Sequence, residues 1–322
     1  MKRIIVNEHG GPEKMTVLEV PTPSPESKDV LVKIAYSGVN FIDVYFRIGL
    51  YKAETPVLLG SEASGIVERV GPEVTEVAPG DRVAYAMVRG SYAEYAVVPA
   101  AQLVKIPESV DLATAAAIML QGATAHYLTH STFPLSPGQA CLVHAAAGGT
   151  GGLIVQMAKH RGARVFATVS TEAKAREARE LGADETIVYT SQDFETEIKR
   201  RTNGRGVDVV YDSVGRTTFD KSLNVLRARG TMVLFGQSSG PVAPIDPAIL
   251  NQRGSLFLTR PNLAHYIAQR EELVSRMNDV FSYIASGAVK VRVGRVYSLA
   301  DAAEAHRDLE SRKTTGKLLL KI

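Results

Sequence analysis

Residues 141–155 read Cys141-Leu142-Val143-His144-Ala145-Ala146-Ala147-Gly148-Gly149-Thr150-Gly151-Gly152-Leu153-Ile154-Val155. A short apolar run passes into small residues, and apolar positions then resume at helical spacing. That is the pattern of a buried parallel strand, a tight turn and a helix N-terminus. Against the template G-x-G-x-x-G, Ala146, Gly148 and Gly151 take the three glycine places. Small residues let a backbone approach a pyrophosphate, and the N–H groups of a first helical turn face its charge. A Gly-rich turn that merely needs positive φ looks the same in isolation, so the surroundings decide between the two.

Downstream, strand and helix patterns alternate regularly. Strands are expected at 140–145, 164–169, 185–188, 207–212, 231–235 and 254–259, with helices at 150–161, 171–181, 193–201 and 219–226. Six strands with helical crossovers make a doubly wound parallel sheet with right-handed connections. Upstream, residues 1–120 carry short apolar runs between Gly/Pro corners, the pattern of a partly closed barrel. A short helix opens in the stretch 38–45, and two helical stretches are expected at 112–117 and 122–130. The tail adds helices at 271–286 and 300–311 and a last strand at 317–322.

At 322 residues the chain exceeds the usual single core, so two domains are expected. A formal net charge of +3 is too mild to argue for nucleic acid or a membrane surface. The single cysteine excludes an internal disulfide framework and suits a reducing compartment. No run of about 18 apolar residues suggests a membrane span, and the N-terminus lacks a signal-peptide core. The expectation is a cytoplasmic protein.

The end of the second strand chooses the cofactor. An NAD-specific unit places a carboxylate there for the ribose 2′-hydroxyl. This chain has Ser170-Thr171, with Lys174 a helical turn further on and Glu172 as an ordinary first-turn acid. Hydroxyls and an ammonium suit a 2′-phosphate, so NADPH is expected over NADH.

Six stretches in order carry a resemblance: Ser37–Asp43, Gly60–Gly65, Pro79–Val83, His144–Gly151, Val210–Gly215 and Leu258–Pro261. Together the chain resembles the zinc-free quinone oxidoreductases of the medium-chain dehydrogenase/reductase superfamily, the zeta-crystallin-like branch, over essentially its whole length. The resemblance implies an α/β protein: a Rossmann doubly wound sheet, at 123–261, inserted between parts of a GroES-like β-barrel catalytic domain, at 1–122 and 262–322. It also implies a homodimer joined through edge strand 254–259. Zinc-dependent relatives supply a cysteine early in the catalytic domain, a Gly-His-Glu element and a four-cysteine lobe. Here 38–43 has no cysteine, the second element reads Gly60-Ser61-Glu62, and the lobe is impossible with Cys141 alone. His126 and His130 stand at i, i+4 without a third ligand, whereas a catalytic zinc needs about three. No metal is expected.

By the same resemblance, Asn40, Asp43, Tyr45 and Tyr51 line a substrate cleft between the domains, with no catalytic residue firmly assigned. Gly148, Gly149, Thr150 and Gly151 meet the pyrophosphate, and Ser170 and Lys174 the 2′-phosphate. Tyr127 and Tyr189 flank the adenosine or ribose, and Arg312 reaches the phosphate from the tail. Phe41, Ile42, Ser213, Phe235, Gly236, Gln237, Ser238, Leu258, Thr259 and Arg260 complete the cofactor set. The implied activity is metal-free transfer of reducing equivalents from NADPH to a quinone. Two alternatives stay open: an enone or alkenal reductase on the same scaffold, and a crystallin-like NADPH- and RNA-binding protein. The basic clusters 199–201 and 227–229 are short and fit solvated faces better than a nucleic-acid stripe.

Overall fold

The computed structural model describes residues 1–311 and 313–322; Arg312 lies outside the described residues. The chain divides into two compact units: Met1–Ala123 with Ile267–Ala285 and Val291–Ile322, and Thr124–Tyr266 with Ser286–Lys290. In chain order the N-terminal elements are β1 (Lys2–Val6), β2 (Met15–Glu19), β3 (Asp29–Val39), α1 (Phe41–Arg47), β4 (Val57–Leu58), β5 (Glu62–Val70), β6 (Arg82–Ala86), β7 (Tyr95–Pro99), β8 (Val104–Lys105) and α2 (Leu112–Tyr127). Next come β9 (Ala140–Val143), α3 (Gly149–His160), β10 (Arg164–Val169), α4 (Glu172–Glu180), β11 (Glu185–Val188), α5 (Phe194–Arg201), β12 (Val207–Asp212), α6 (Phe219–Asn224), β13 (Leu226–Leu234), α7 (Ala248–Gln252) and β14 (Phe257–Thr259). The tail holds α8 (Leu263–Tyr266), α9 (Arg270–Ala285), β15 (Val293–Ser298), α10 (Ala302–Ser311) and β16 (Lys317–Lys321).

The second unit is a six-stranded sheet in the order β11-β10-β9-β12-β13-β14, every pair parallel. Its central strands β9 and β12 are buried at every position. Burial on both faces is why these strands read as continuous apolar runs rather than as alternation. Leu142, Phe166, Ile187, Val210 and Met232 share one core cluster on this sheet.

In the first unit the long strand β3 is the organiser. It pairs antiparallel with β5, β7 and β16, and Val30, Val32 and Ile34 point into a core with Val67, Val83 and Tyr85. The seven-stranded sheet runs β15-β16-β3-β5-β6-β8 with β7 on β3, and β2-β1-β4 form a smaller one. The last strand therefore lies beside an early one, Leu318 opposite Val39.

Several elements differ from expectation. The edge strand expected at 254–259 is only β14, three residues long. The pair of helices expected at 112–117 and 122–130 is one helix, α2, that runs through Gly122, with a π-helical turn at Leu128–Thr132 after it. Gly122 is a packing position and not a break. A Cβ there would stand 3.1 Å from Val280 of α9 and 3.3 Å from the Ile118 Cβ. Gly122→Leu is expected to lower stability by about 1–3 kcal/mol through overpacking; an unchanged melting temperature would remove this explanation.

Candidate active site

The phosphate cradle forms where β9 ends. Ala145 sits at φ 52°, an αL conformation that non-glycine residues seldom adopt, and its carbonyl accepts from Gly148 N–H at 2.9 Å. That carbonyl then lies against the first turn of α3. A Cβ on Gly151 would meet the Ala145 oxygen at 2.3 Å, so only glycine fits. Gly148 is the N-cap, and Gly149, Thr150 and Gly151 form the first turn, whose N–H groups have no intrahelical acceptor.

The expected cofactor residues of this unit gather at the carboxyl ends of the parallel strands, where ligands bind in doubly wound sheets. Ser170 and Lys174 follow β10, Tyr189 follows β11, and Ser213 follows β12. Phe235, Gly236, Gln237 and Ser238 follow β13; Leu258 and Thr259 close β14, and Arg260 follows. Tyr189 is 49% exposed, whereas Tyr127 is 2% exposed and stacked on Tyr266 at 4.1 Å. Partial burial lowers the Lys174 pKa, against the pull of Glu177 beside it; a bound phosphate would act in the same direction as Glu177.

Behind the cradle a buried polar chain ties the strand ends together. His144 Nδ1 bonds Thr168 Oγ1 at 2.7 Å and Nε2 bonds Ser222 Oγ at 2.9 Å. Ser222 donates to Asp212 at 3.0 Å, which also accepts from Thr218 Oγ1 and from the N–H groups of Val214 and Gly215. Burial lowers the His144 pKa, with Asp212 opposing.

The expected substrate residues belong to the first unit. Tyr45, 8% exposed, packs its ring 5.2 Å from that of Tyr51. Phe41 and Ile42 are half-buried in the first turn of α1. Asn40 and Asp43 lie inside a dense cluster that sequence reasoning did not assemble. Asn40 Oδ1 accepts from Lys317 Nζ at 2.7 Å and from Gln121 Nε2 at 3.3 Å; its Nδ2 donates to Glu62 Oε1 at 2.8 Å. Lys317 also pairs directly with Glu62, whose second oxygen accepts from Leu120 N–H at 2.7 Å. Asp43 accepts from Ser61 Oγ at 2.6 Å, Asn40 N–H at 3.1 Å and Tyr92 OH at 3.5 Å. Tyr92 continues to His306 Nε2 at 3.0 Å, His306 Nδ1 to Arg47 at 2.8 Å, and Arg47 to Glu310 through two bonds of 2.9 Å. Burial lowers the Lys317 pKa, and Glu62 beside it opposes the shift. The available signal was register: with Leu318 opposite Val39, Lys317 comes level with Asn40.

These donors do not fit zinc. Where a metal-binding histidine would precede Glu62 stands Ser61, committed to Asp43, and the ammonium of Lys317 already faces Glu62. His126 and His130 stack face to face at 4.0 Å and 7°, so their in-plane lone pairs run parallel instead of converging on one ion. Among the described residues no three His, Cys, Asp or Glu side chains come together to hold a metal.

Burial pushes the Asp43 pKa up to about 7, against the Ser61 hydrogen bond and the Lys317 charge. A carboxyl raised from 3.8 binds its proton more tightly folded than unfolded, so that stabilisation is complete below pH 3.8 and lost as pH rises to about 7. The stability of the wild type relative to Asp43→Asn should therefore fall across that window, by roughly 4 kcal/mol at most. Urea denaturation at several pH values measures it, and a pH-independent difference would contradict the raised pKa.

Comparison with known proteins agrees with this arrangement. Residues 26–108 match the alcohol dehydrogenase GroES-like domain, and residues 181–320 match a family described as zinc-binding dehydrogenase. Quinone oxidoreductase 1 of Escherichia coli is 44% identical over 322 residues, covering 99% of this chain and 98% of that one. A 2-haloacrylate reductase of Burkholderia is 41% identical, covering 98% and 97%. The structure of E. coli quinone oxidoreductase complexed with NADPH superposes with a TM-score of 0.98 at 44% identity, covering all of both chains. A barrel-forming unit built on β3, a parallel sheet with its glycine cradle, and full-length identity at this level lead to one conclusion: the chain belongs to the quinone oxidoreductases of the medium-chain dehydrogenase/reductase superfamily.

Proposed function

We propose that this protein reduces quinones with NADPH. The observation that carries the reading is the full-length 44% identity to a quinone oxidoreductase whose NADPH complex has this fold. The residues are compatible with the cofactor: the first turn of α3 begins in the glycine-rich stretch 148–151, with N–H groups that suit a pyrophosphate, and Ser170 and Lys174, just after β10, are the hydroxyl and ammonium that would meet a 2′-phosphate. NADPH, when bound, supplies the hydride. The chain would bind and orient the cofactor: Thr150 and the first turn of α3 would hold the diphosphate, with the loops after β12 and β13 beside it. On the substrate side, Tyr45 and Tyr51 offer an aromatic surface for a planar ring.

A second reading, reduction of an activated carbon–carbon double bond, is favoured by the 41% identical 2-haloacrylate reductase. The RNA-binding alternative finds little support. Lys199, Arg200 and Arg201 pair with Glu195, Glu197 and Glu185, and Arg227 pairs with Asp208. A homodimer through β14 is supported by its edge position and by Phe257, 62% exposed. No helix among the described residues is long and apolar enough to cross a membrane, and the buried Cys141 suits a reducing compartment such as the cytoplasm.

NADPH oxidation against benzoquinone, naphthoquinone, enones and aldehydes tests the assignment. Turnover is expected with quinones and unchanged by chelator; absence of quinone turnover would overturn it. Lys174→Ala should raise the KM for NADPH roughly 10- to 100-fold, the scale of a lost charge-assisted hydrogen bond, and barely alter that for NADH. Equal change in both would put the 2′-phosphate elsewhere.

A further inference from the structure

Within the cluster around Lys317 almost every polar group is enclosed. Asn40, Asp43, Ser61, Glu62 and Lys317 are each at most 4% exposed. Asn40, the residue expected to meet the substrate, has both amide atoms engaged: Oδ1 by Lys317 and Gln121, Nδ2 by Glu62 and, weakly at 3.5 Å, by Gly38 O. Gln121 is different. It is half-buried, and among the described residues its side chain makes one hydrogen bond, Nε2 to Asn40.

The orientation of these amides is fixed by chemistry. An ammonium only donates, so the Asn40 oxygen must face Lys317, and its nitrogen must face Glu62. An amide oxygen can receive only a donor, so Gln121 must present Nε2 to Asn40. The second N–H of that nitrogen and Oε1 are left for another molecule. Glu62 also anchors the backbone beside Gln121, accepting the N–H of Leu120, the residue before it.

The geometry points to Gln121 as the side chain that hydrogen-bonds the substrate's carbonyl oxygen, aligned through Asn40 by the ammonium of Lys317. Lys317 is then a positioning residue, acting through Asn40. This rests on the quinone-reductase reading; a carbonyl oxygen is common to quinones and enones.

The test is steady-state kinetics with NADPH and 1,4-naphthoquinone. Gln121→Leu, close in volume and without hydrogen-bonding atoms, should lower kcat/KM for the quinone about 10-fold, the scale of one hydrogen bond. The KM for NADPH should stay put, and Gln121→Asn, too short to reach, should match it. Lys317→Met alone would leave Glu62 buried without its cation, so it is paired with Glu62→Gln. That double variant should show the same quinone-specific loss, and adding Gln121→Leu to it should cost little more, because the two act as one unit. Wild-type kcat/KM in Gln121→Leu, or an equal loss in NADPH affinity, overturns the substrate contact. Full additivity in the triple variant overturns the role of Lys317. A wild-type enzyme that reduces no quinone fails the functional reading instead, which keeps the two apart.

Discussion

The first unit depends on one buried ion pair. Lys317 and Glu62 are 2% and 0% exposed at their side chains, and they join the last strand to the start of β5. Desolvating two charges costs several kcal/mol per ion, and the mutual attraction offsets this only when the remaining hydrogen bonds are met. Asn40 serves both partners here, and Leu120 N–H takes the second oxygen of Glu62. Removing one partner would strand the other, so the pair enforces register. A one-residue slip of β16 on β3 would turn Lys317 to the opposite face, away from Glu62 and into the side now packed by Leu318 and Leu320, leaving both charges buried and unpaired.

Hydrogen-bond direction extends that constraint towards the surface. Arg47 can only donate, so His306 must accept at Nδ1, and its neutral ring carries the proton on Nε2. Tyr92 receives that proton's hydrogen bond and turns its own hydroxyl to Asp43. A neutral His306 is what burial and the Arg47 charge impose, holding its pKa near 3. Its contribution to stability has the opposite sign to that of Asp43. His306 resists protonation in the fold, so it costs stability as pH falls below its ordinary 6.5, while Asp43 costs stability as pH rises towards 7. Between these limits the two partly cancel, which flattens the net pH dependence of the unit.

The parallel sheet was legible because burial on both faces writes itself into sequence as unbroken apolar runs, as in β9 and β12. The cradle was legible because steric exclusion at Gly151 admits one residue type. Lys317 was not. A lysine at the start of a terminal strand reads as a solvated end, and its partner lies 255 residues earlier. Gly122 misled for a related reason: glycine marks a break or a close approach alike, and only Val280 of a distant helix says which. Asn40 and Asp43 were found through the resemblance, but their internal bonds depend on tertiary neighbours that no local pattern announces.

The second unit applies the same logic without a buried cation. Its polar chain holds histidine, serine and aspartate, the residue types of a hydrolytic triad, yet their order rules that chemistry out. Ser222 lies between His144 and Asp212 and donates to the carboxylate. His144 must therefore offer its Nε2–H to Ser222, which leaves no base to activate that hydroxyl. What the chain does is fix geometry. Thr168, His144, Ser222 and Asp212 lock the ends of β10, β9 and β12 together, and Asp212 holds the 213–215 loop through two N–H groups. Both units thus commit their buried polar groups to holding backbone and side chains in one arrangement. A reaction whose electrons come from the cofactor needs the protein mainly for placement, and placement is what these networks supply.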